Sequence, residues 1–297
     1  MSAAHFSRGQ LGLLVGLTLV WGLNWPVMKL GVTHCPPLTF RSWSMWIGLP
    51  VLWLATRALR IPLRIARADW GELAWLTLTN MIVWHVLAIL SVQALASGRA
   101  AILGYTMPIF SALWGAAVFG QRLSARQAGG VAAAALGVLL LLWHELGRVA
   151  GSPWAAAGML VSAAVWALGT QQLRRTRIQA PTLAIVFWMT TATAVTLAVL
   201  AFGFERDRRQ MPDAAAWGAI VFNAVLIFGF AQPAWLYLAR ALPPAASTLS
   251  VMLIPVLGTL SGAWWLAEQL HWQDGAAIVL MLAAIASVLW PSPPQRA

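Results

Sequence analysis

Six polar residues interrupt long apolar runs: Asn24, Asn80, His85, Tyr105, Asn223 and Gln232. In hydrocarbon such groups are costly and turn towards a cavity or a neighbouring helix, so their chemistry is recognition rather than bond making. His85, in the stretch Met81-Ile82-Val83-Trp84-His85, is the one mid-run side chain that titrates near neutral pH. Tryptophans accompany them. Trp21, Trp25, Trp84, Trp166 and Trp235 lie inside their runs, not at the ends where interfacial aromatic belts sit. Indole faces suit an aromatic guest by stacking and a cationic one by cation–π attraction. The candidate substrate-binding set is therefore Trp21, Asn24, Asn80, Trp84, His85, Tyr105, Trp166, Asn223 and Gln232. The competing reading of each is structural, as a helix–helix hydrogen bond or a gap filler. Pro108 and Pro255 are candidate hinges, since proline removes a ladder hydrogen bond and bends a helix.

Motifs for bond-making chemistry are missing. There is no Gly-rich loop ending in Lys-Ser or Lys-Thr, no His-Glu-x-x-His pair, no Gly-x-Ser-x-Gly elbow and no pair of intramembrane carboxylates. The single cysteine, Cys35, excludes an intramolecular disulfide and a multi-cysteine metal site. Neither a catalytic residue, a metal nor a cofactor is expected. An intramembrane enzyme would need a partner for His85, and the sequence offers none. A proton-coupled exporter relying on a buried carboxylate lacks one at mid-depth, so facilitated movement is the expected coupling.

Composition dictates the elements that must position these residues. Of 297 residues, 60% are apolar and 9% charged, with 19 Trp, 24 Gly and 16 Pro, against roughly a quarter charged in soluble domains. This much apolar surface calls for lipid outside as well as a core inside. A helix crossing about 30 Å of hydrocarbon needs about 20 residues. Cutting the chain at clusters of Arg, Pro, Gly and acids gives ten segments, 11–32, 37–57, 70–92, 96–119, 126–143, 153–173, 181–202, 214–239, 244–266 and 273–290. The runs are continuous rather than alternating, which excludes a barrel. The expected fold class is an all-α integral membrane protein with ten transmembrane helices. Arg8 precedes the first run, but Trp21-Gly22-Leu23-Asn24-Trp25 offers no small-residue cleavage site, so that run is expected to stay as the first helix.

The 19 basic residues outnumber the 8 acidic ones, for a net charge of +11. They punctuate the apolar runs instead of forming one basic segment, which argues for topology and against a nucleic-acid partner. With the N-terminus inside, the inner segments carry Arg8, Arg57, Arg60, Arg64, Arg67, Arg122, Arg126, Arg174, Arg175, Arg177, Arg240 and Arg296, twelve of the 19. The outer side carries Lys29, Arg41, Arg99, Arg148, Arg206, Arg208 and Arg209, the other seven. The positive-inside bias thus predicts both termini in the cytoplasm of a bacterial inner membrane. The partners expected are a small-molecule substrate and the lipid bilayer, with a monomer as the expected state.

The chain also repeats itself. An offset of 147 pairs Pro108 with Pro255, Leu113 with Leu260, Gly115 with Gly262, Gln121 with Glu268, Leu123 with Leu270 and Trp143 with Trp290. An offset of 145 pairs Val20-Trp21 with Val165-Trp166. Two five-helix repeats, 1–148 and 149–297, follow, and five being odd, they must be inverted in the membrane. The turn charges agree, with Arg122 and Arg126 in the first copy against Glu268 and Asp274 in the second. Inverted repeats that handle substrate at their interface are an alternating-access architecture.

Trp21-Gly22-Leu23-Asn24-Trp25, Pro37-Leu38-Thr39-Phe40-Arg41, and Pro108 followed by Gly120-Gln121-Arg122-Leu123-Ser124 with Gln127 and Gly130 resemble the EamA-type module of the drug/metabolite transporter superfamily. Pro255 with Ala267-Glu268-Gln269-Leu270, Gln273 and Gly275 resembles the module again. That module usually has Glu after the turn Gly, where the first copy has Gln121. The resemblance implies ten helices, cytoplasmic termini and export of small metabolites. Within the superfamily the chain is most similar to bacterial aromatic amino acid exporters of the YddG type, which implies aromatic and other neutral amino acids as substrates. A broad exporter of drugs or cationic compounds is the alternative within the superfamily. A nucleotide-sugar carrier would need several cations for its phosphates, and Lys29, Arg41 and Arg99 are the only cations near span interiors.

Overall fold

The computed structural model describes residues 7–120, 124–146, 152–208, 211–241 and 253–289. The described residues form ten helical segments and no strand. They are α1 (Arg8–His34), α2 (Pro37–Ala58), α3 (Arg67–Ala94), α4 (Ser97–Ala117), α5 (Ala125–Leu146), α6 (Pro153–Leu173), α7 (Thr182–Phe204), α8 (Ala214–Arg240), α9 (Ile254–Leu266) and α10 (Trp272–Leu289). The turn Gln121 to Leu123, the start of the expected ninth span, Trp290 and the proposed boundary between 148 and 149 lie outside the described residues.

Six of the segments, α1, α3, α4, α6, α7 and α8, are long and apolar enough to cross a bilayer. α5, α9 and α10 contribute shorter apolar stretches, Ala125–Leu141, Ile254–Leu266 and Trp272–Ser287. α2 has the length, 22 residues, but carries Arg41, Ser42, Ser44, Thr56 and Arg57. It packs against α7 and α8.

Local chemistry sets the helix starts. Ser7 and Gln10 form a reciprocal capping box on α1, each side chain bonding the other's backbone N–H at 3.2 and 3.1 Å. Proline opens α2 and α6, where the missing N–H costs nothing. Asp213 caps α8 by accepting from the Ala216 N–H at 2.8 Å.

Hydrogen bonds between helix ends show how neighbours alternate in direction. At the end of the bundle where α1 finishes, Lys29 Nζ donates to the carbonyls of Val92, Gln93 and Leu95 at the end of α3, a favourable place for a cation because helix C-termini are partially negative. There too Glu205, just past α7, accepts from the Leu38 and Thr39 N–H groups and the Thr39 hydroxyl of α2 at 2.8–2.9 Å. Glu268, just past α9, accepts from the Ser97 N–H, the Ser97 hydroxyl and the Gly98 N–H at the start of α4. Both carboxylates cap a partner helix where its N-terminal N–H groups lack intrahelical acceptors. Arg99 pairs with Asp274 at 2.9 Å. At the opposite end, Glu72 accepts from the Thr176 hydroxyl and the Arg177 N–H, and Arg240 donates to Ala180, Thr182 and Ile178.

His34 meets Asp213 at 2.6 Å. The Ala216 N–H and the His34 ring together hold the Asp213 carboxyl below the usual carboxylate range. A depressed folded-state pKa contributes stability that is present above the unfolded value, about 3.9, and lost as pH falls through the lower folded one. Wild type is therefore expected to melt at a higher temperature than Asp213→Asn at pH 6, with the gap closing below about pH 4. Thermal unfolding in detergent across that range checks it.

Early helices pack on late ones. α1 lies against α8 and α9, and α6 lies against α3 and α4; α2 packs on α7, and α5 on α10. Both α3 and α8 widen into π-helical turns at comparable places, Leu78–Ile82 and Asn223–Ala231. In α8 the wide turn ends beside Pro233, whose ring would clash with the Gly229 carbonyl in a regular ladder. In α3 the Thr77, Thr79 and Asn80 side chains bond carbonyls one turn back, competing with the ladder.

Of the candidate hinges, Pro108 sits at a helix break. Pro108 does not interrupt a running helix, because α4 breaks at Tyr105-Thr106 and resumes at Met107, leaving Pro108 in the first turn of the second piece. The break avoids the clash of the proline ring with the Gly104 carbonyl. Pro255 lies in the first described turn of α9. Among the described residues, the prolines inside continuous helices are Pro26 in α1, Pro50 in α2 and Pro233 in α8.

Candidate functional site

Four indoles meet in the bundle interior. Trp166 of α6 stacks on Trp235 of α8, with centroids 5.4 Å apart and planes at 24°. Trp235 meets Trp21 of α1 at 5.5 Å, and Trp166 meets Trp84 of α3 at 5.9 Å. Trp166 and Trp235 are buried, whereas Trp21 and Trp84 are half-buried, so the outer pair leaves ring surface open. The indole N–H of Trp235 is buried without an acceptor. Trp25 packs edge-on against Tyr105 at 6.4 Å. Gly104 brings that pair beside the cluster, since a Cβ there would lie 2.9 Å from the Trp25 ring and 3.4 Å from Trp84.

Polar residues flank the indoles in two groups, each built on one of the π-helical asparagines. Asn80 Nδ2 donates to the Leu76 carbonyl of its own helix, and its Oδ1 accepts from Thr170 of α6 at 3.4 Å. Gly169 permits this approach, because a Cβ there would fall 2.4 Å from Asn80 Nδ2. Asn223 Nδ2 donates to the Ala219 carbonyl in the same manner, and its Oδ1 accepts from Arg41 Nη1 at 2.9 Å. Arg41 Nη2 reaches the Met28 sulfur of α1. The Phe228 ring of α8 lies under both the Arg41 guanidinium, at 5.7 Å, and the His85 ring, at 5.4 Å.

Several buried polar atoms in this region have no hydrogen-bond partner: Asn24 Oδ1, Arg41 Nε, both His85 ring nitrogens and Trp235 Nε1. They come from α1, α2, α3 and α8. Most buried polar groups in proteins are satisfied, so a concentration of unsatisfied ones marks a place that receives something else.

Of the sequence candidates, Trp21, Trp84 and Trp166 come together through Trp235, and Tyr105 joins through Trp25. Asn223 and His85 share the Phe228 neighbourhood. Gln232, one turn from Trp235, donates to the Met81 sulfur of α3. Asn80 sits at the α3–α6 contact. Trp25 and Trp235 stood out as interior tryptophans without entering the candidate set. Arg41 was placed towards a helix end, and its lone charge inside the Pro37 to Leu49 run was the signal that it is special.

The chain matches the EamA-like transporter family over residues 9–143 and again over 153–290. It is 26% identical to the uncharacterized transporter YoaV of Bacillus subtilis, covering 90% of each chain. It is 26% identical to the uncharacterized inner membrane transporter YedA of Escherichia coli, covering 95% of this chain and 93% of the relative. A probable amino-acid metabolite efflux pump of Salmonella typhimurium is 25% identical, with 93% of each covered. One crystal structure superposes with a TM-score of 0.69 over 95% of this chain and 98% of the other, at 21% identity, which establishes the shared fold. Apolar helices long enough to span, polar groups gathered around indoles in their midst and the two family matches agree, and the chain is a multi-pass membrane protein that belongs to the EamA-like transporter family.

Proposed function

We propose that the protein exports small amphipathic metabolites, foremost aromatic and other neutral amino acids, across the bacterial inner membrane by alternating access. The observation that carries this reading is the four-indole cluster of Trp21, Trp235, Trp166 and Trp84, flanked by unsatisfied polar atoms. Such a surface offers stacking to a ring and hydrogen bonds to a polar head. The names of the Salmonella typhimurium relative and of an Escherichia coli one, probable amino-acid metabolite efflux pumps, support it.

The moving parts would be halves 1–148 and 149–297, inverted relative to each other. The exchanged packing of α1 and α6 and the paired asparagines 80 and 223 support that duplication. The break before Pro108 and the first turn of α9 at Pro255 would act as the flexible points. Cytoplasmic termini fit the arginine bias, and the end of the bundle where α1 finishes, holding Glu205, Asp213, Glu268 and Asp274, would face out. The Arg41 guanidinium, with no carboxylate partner among the described residues, disfavours the rival reading of a cationic-drug exporter, since it would repel such a guest.

Proteoliposomes containing the protein are expected to move labelled Phe or Trp at least tenfold faster than empty ones, and Thr and Met more slowly. Movement of every member of that panel no faster than in empty vesicles would end the amino acid reading. Movement should run downhill only; a pH gradient that drives uphill accumulation, lost in His85→Ala, would replace facilitated export by proton coupling through that histidine.

A further inference from the structure

Three cations lie near span interiors, and they are not treated alike. Lys29 is satisfied by three carbonyls at the end of α3, and Arg99 by Asp274. Arg41, 2% exposed, has the neutral Asn223 oxygen and the Met28 thioether as partners, no carboxylate among the described residues within ion-pair distance, and a buried Nε that donates to nothing. Holding a guanidinium out of water without a counter-charge is costly, and charges kept inside spans mark substrate pathways. A single ring, Phe228, links this group to His85, whose two nitrogens are also free. Asn24 Oδ1, a buried acceptor without a donor, lies on α1 between Met28 and Trp21. Seven residues separate Met28 from Trp21 and Phe228 from Trp235, about 10 Å along either helix.

We propose that Arg41, held by Asn223, is the group that receives the substrate's carboxylate, so that the transport site selects zwitterions and anions over amines. This rests on the reading of the indole cluster as the substrate path. Donor and acceptor are placed for opposite charges. The planar guanidinium, with Nε and a terminal nitrogen side by side, matches a carboxylate. Asn24 Oδ1 and the open indole faces of Trp21 and Trp84 accept the ammonium, and the remaining tryptophan surface takes the side chain. A structural arginine would instead cross-link α2 to α8 and be indifferent to the guest.

The test compares uptake of L-phenylalanine and phenethylamine, which lacks the carboxylate, in proteoliposomes of wild type, Arg41→Gln and Arg41→Lys. Wild type is expected to take phenylalanine with a KM at least tenfold below that for phenethylamine. Arg41→Gln should raise the phenylalanine KM by about tenfold, the effect of one lost charge-assisted contact, while leaving the phenethylamine KM unchanged or lower, since the repelling charge is gone. Arg41→Lys should recover part of the loss, because a point charge replaces the fork. Equal losses for both compounds in Arg41→Gln would make Arg41 a structural cross-link and overturn the proposal. Should Arg41→Gln not fold, the wild-type comparison decides alone, since equal KM values for the two compounds overturn the carboxylate role. Wild type moving phenethylamine but not phenylalanine would overturn it too, while leaving transport intact. Movement of neither compound would instead overturn the amino acid reading beneath it.

Discussion

Trp166→Ala is expected to lower transport of aromatic substrates at least tenfold in kcat/KM, whereas Trp166→Phe keeps it within about threefold. The residue is the hub of the indole cluster, stacked on Trp235 and touching Trp84. Aromatic pairs contribute about 0.5–1.5 kcal/mol each beyond simple burial, so losing two contacts, and the ring a guest would share, exceeds the roughly 1.4 kcal/mol of a tenfold effect. Phenylalanine restores a ring at the same depth. Transport kinetics of the two variants, beside their thermal stability in detergent, check the claim. If Trp166→Ala transports normally while melting earlier, the cluster is packing and the path lies elsewhere.

The largest effect on stability is expected at Glu205. Its carboxylate, 5% exposed, accepts two backbone N–H groups and one hydroxyl from the first turn of α2. Hydrogen bonds to a charged group contribute about 1.5–3 kcal/mol each, and removing the acceptor also strands the buried Leu38 N–H and the half-buried Thr39 donors. Glu205→Ala should cost about 3 kcal/mol or more, and Glu205→Gln, which retains one oxygen acceptor, clearly less. Because the tie joins α7 to α2, the loss should appear as earlier protease cleavage between α1 and α2 as well as a lower melting temperature. Equal melting of wild type and Glu205→Ala would show that water caps α2 equally well.

Helix positions were legible because the requirement is one-dimensional: a run of about 20 apolar residues is visible in any chain. Thus Pro153–Leu173 is observed as 153–173 was read, and Pro37–Ala58 ends one residue beyond its expected span. The paired tryptophans 21 and 166 were legible from the repeat, and both joined the cluster. Other features had no such signature. The resemblance gave Glu268 no role, yet it caps α4, and the preceding Ala267 adopts a left-handed conformation, φ 52°, like that of Gly120 at φ 65°. The π-helical turns of α3 and α8 were invisible, since they follow from side chains competing with the ladder and from Pro233 rather than from hydropathy.

The sequence by itself determined the class, the number of helical segments and the family resemblance, each a property of composition or order along the chain. It also set the scarcity of charge that makes every buried ion informative. Only the tertiary structure decided which ions are satisfied. Lys29, Arg41 and Arg99 read alike as lone cations in apolar surroundings, and the difference among them lies in partners 63 to 182 residues away. A chain's own order cannot specify such distances until helix packing brings the carbonyls of α3, Asp274 and Asn223 to their places.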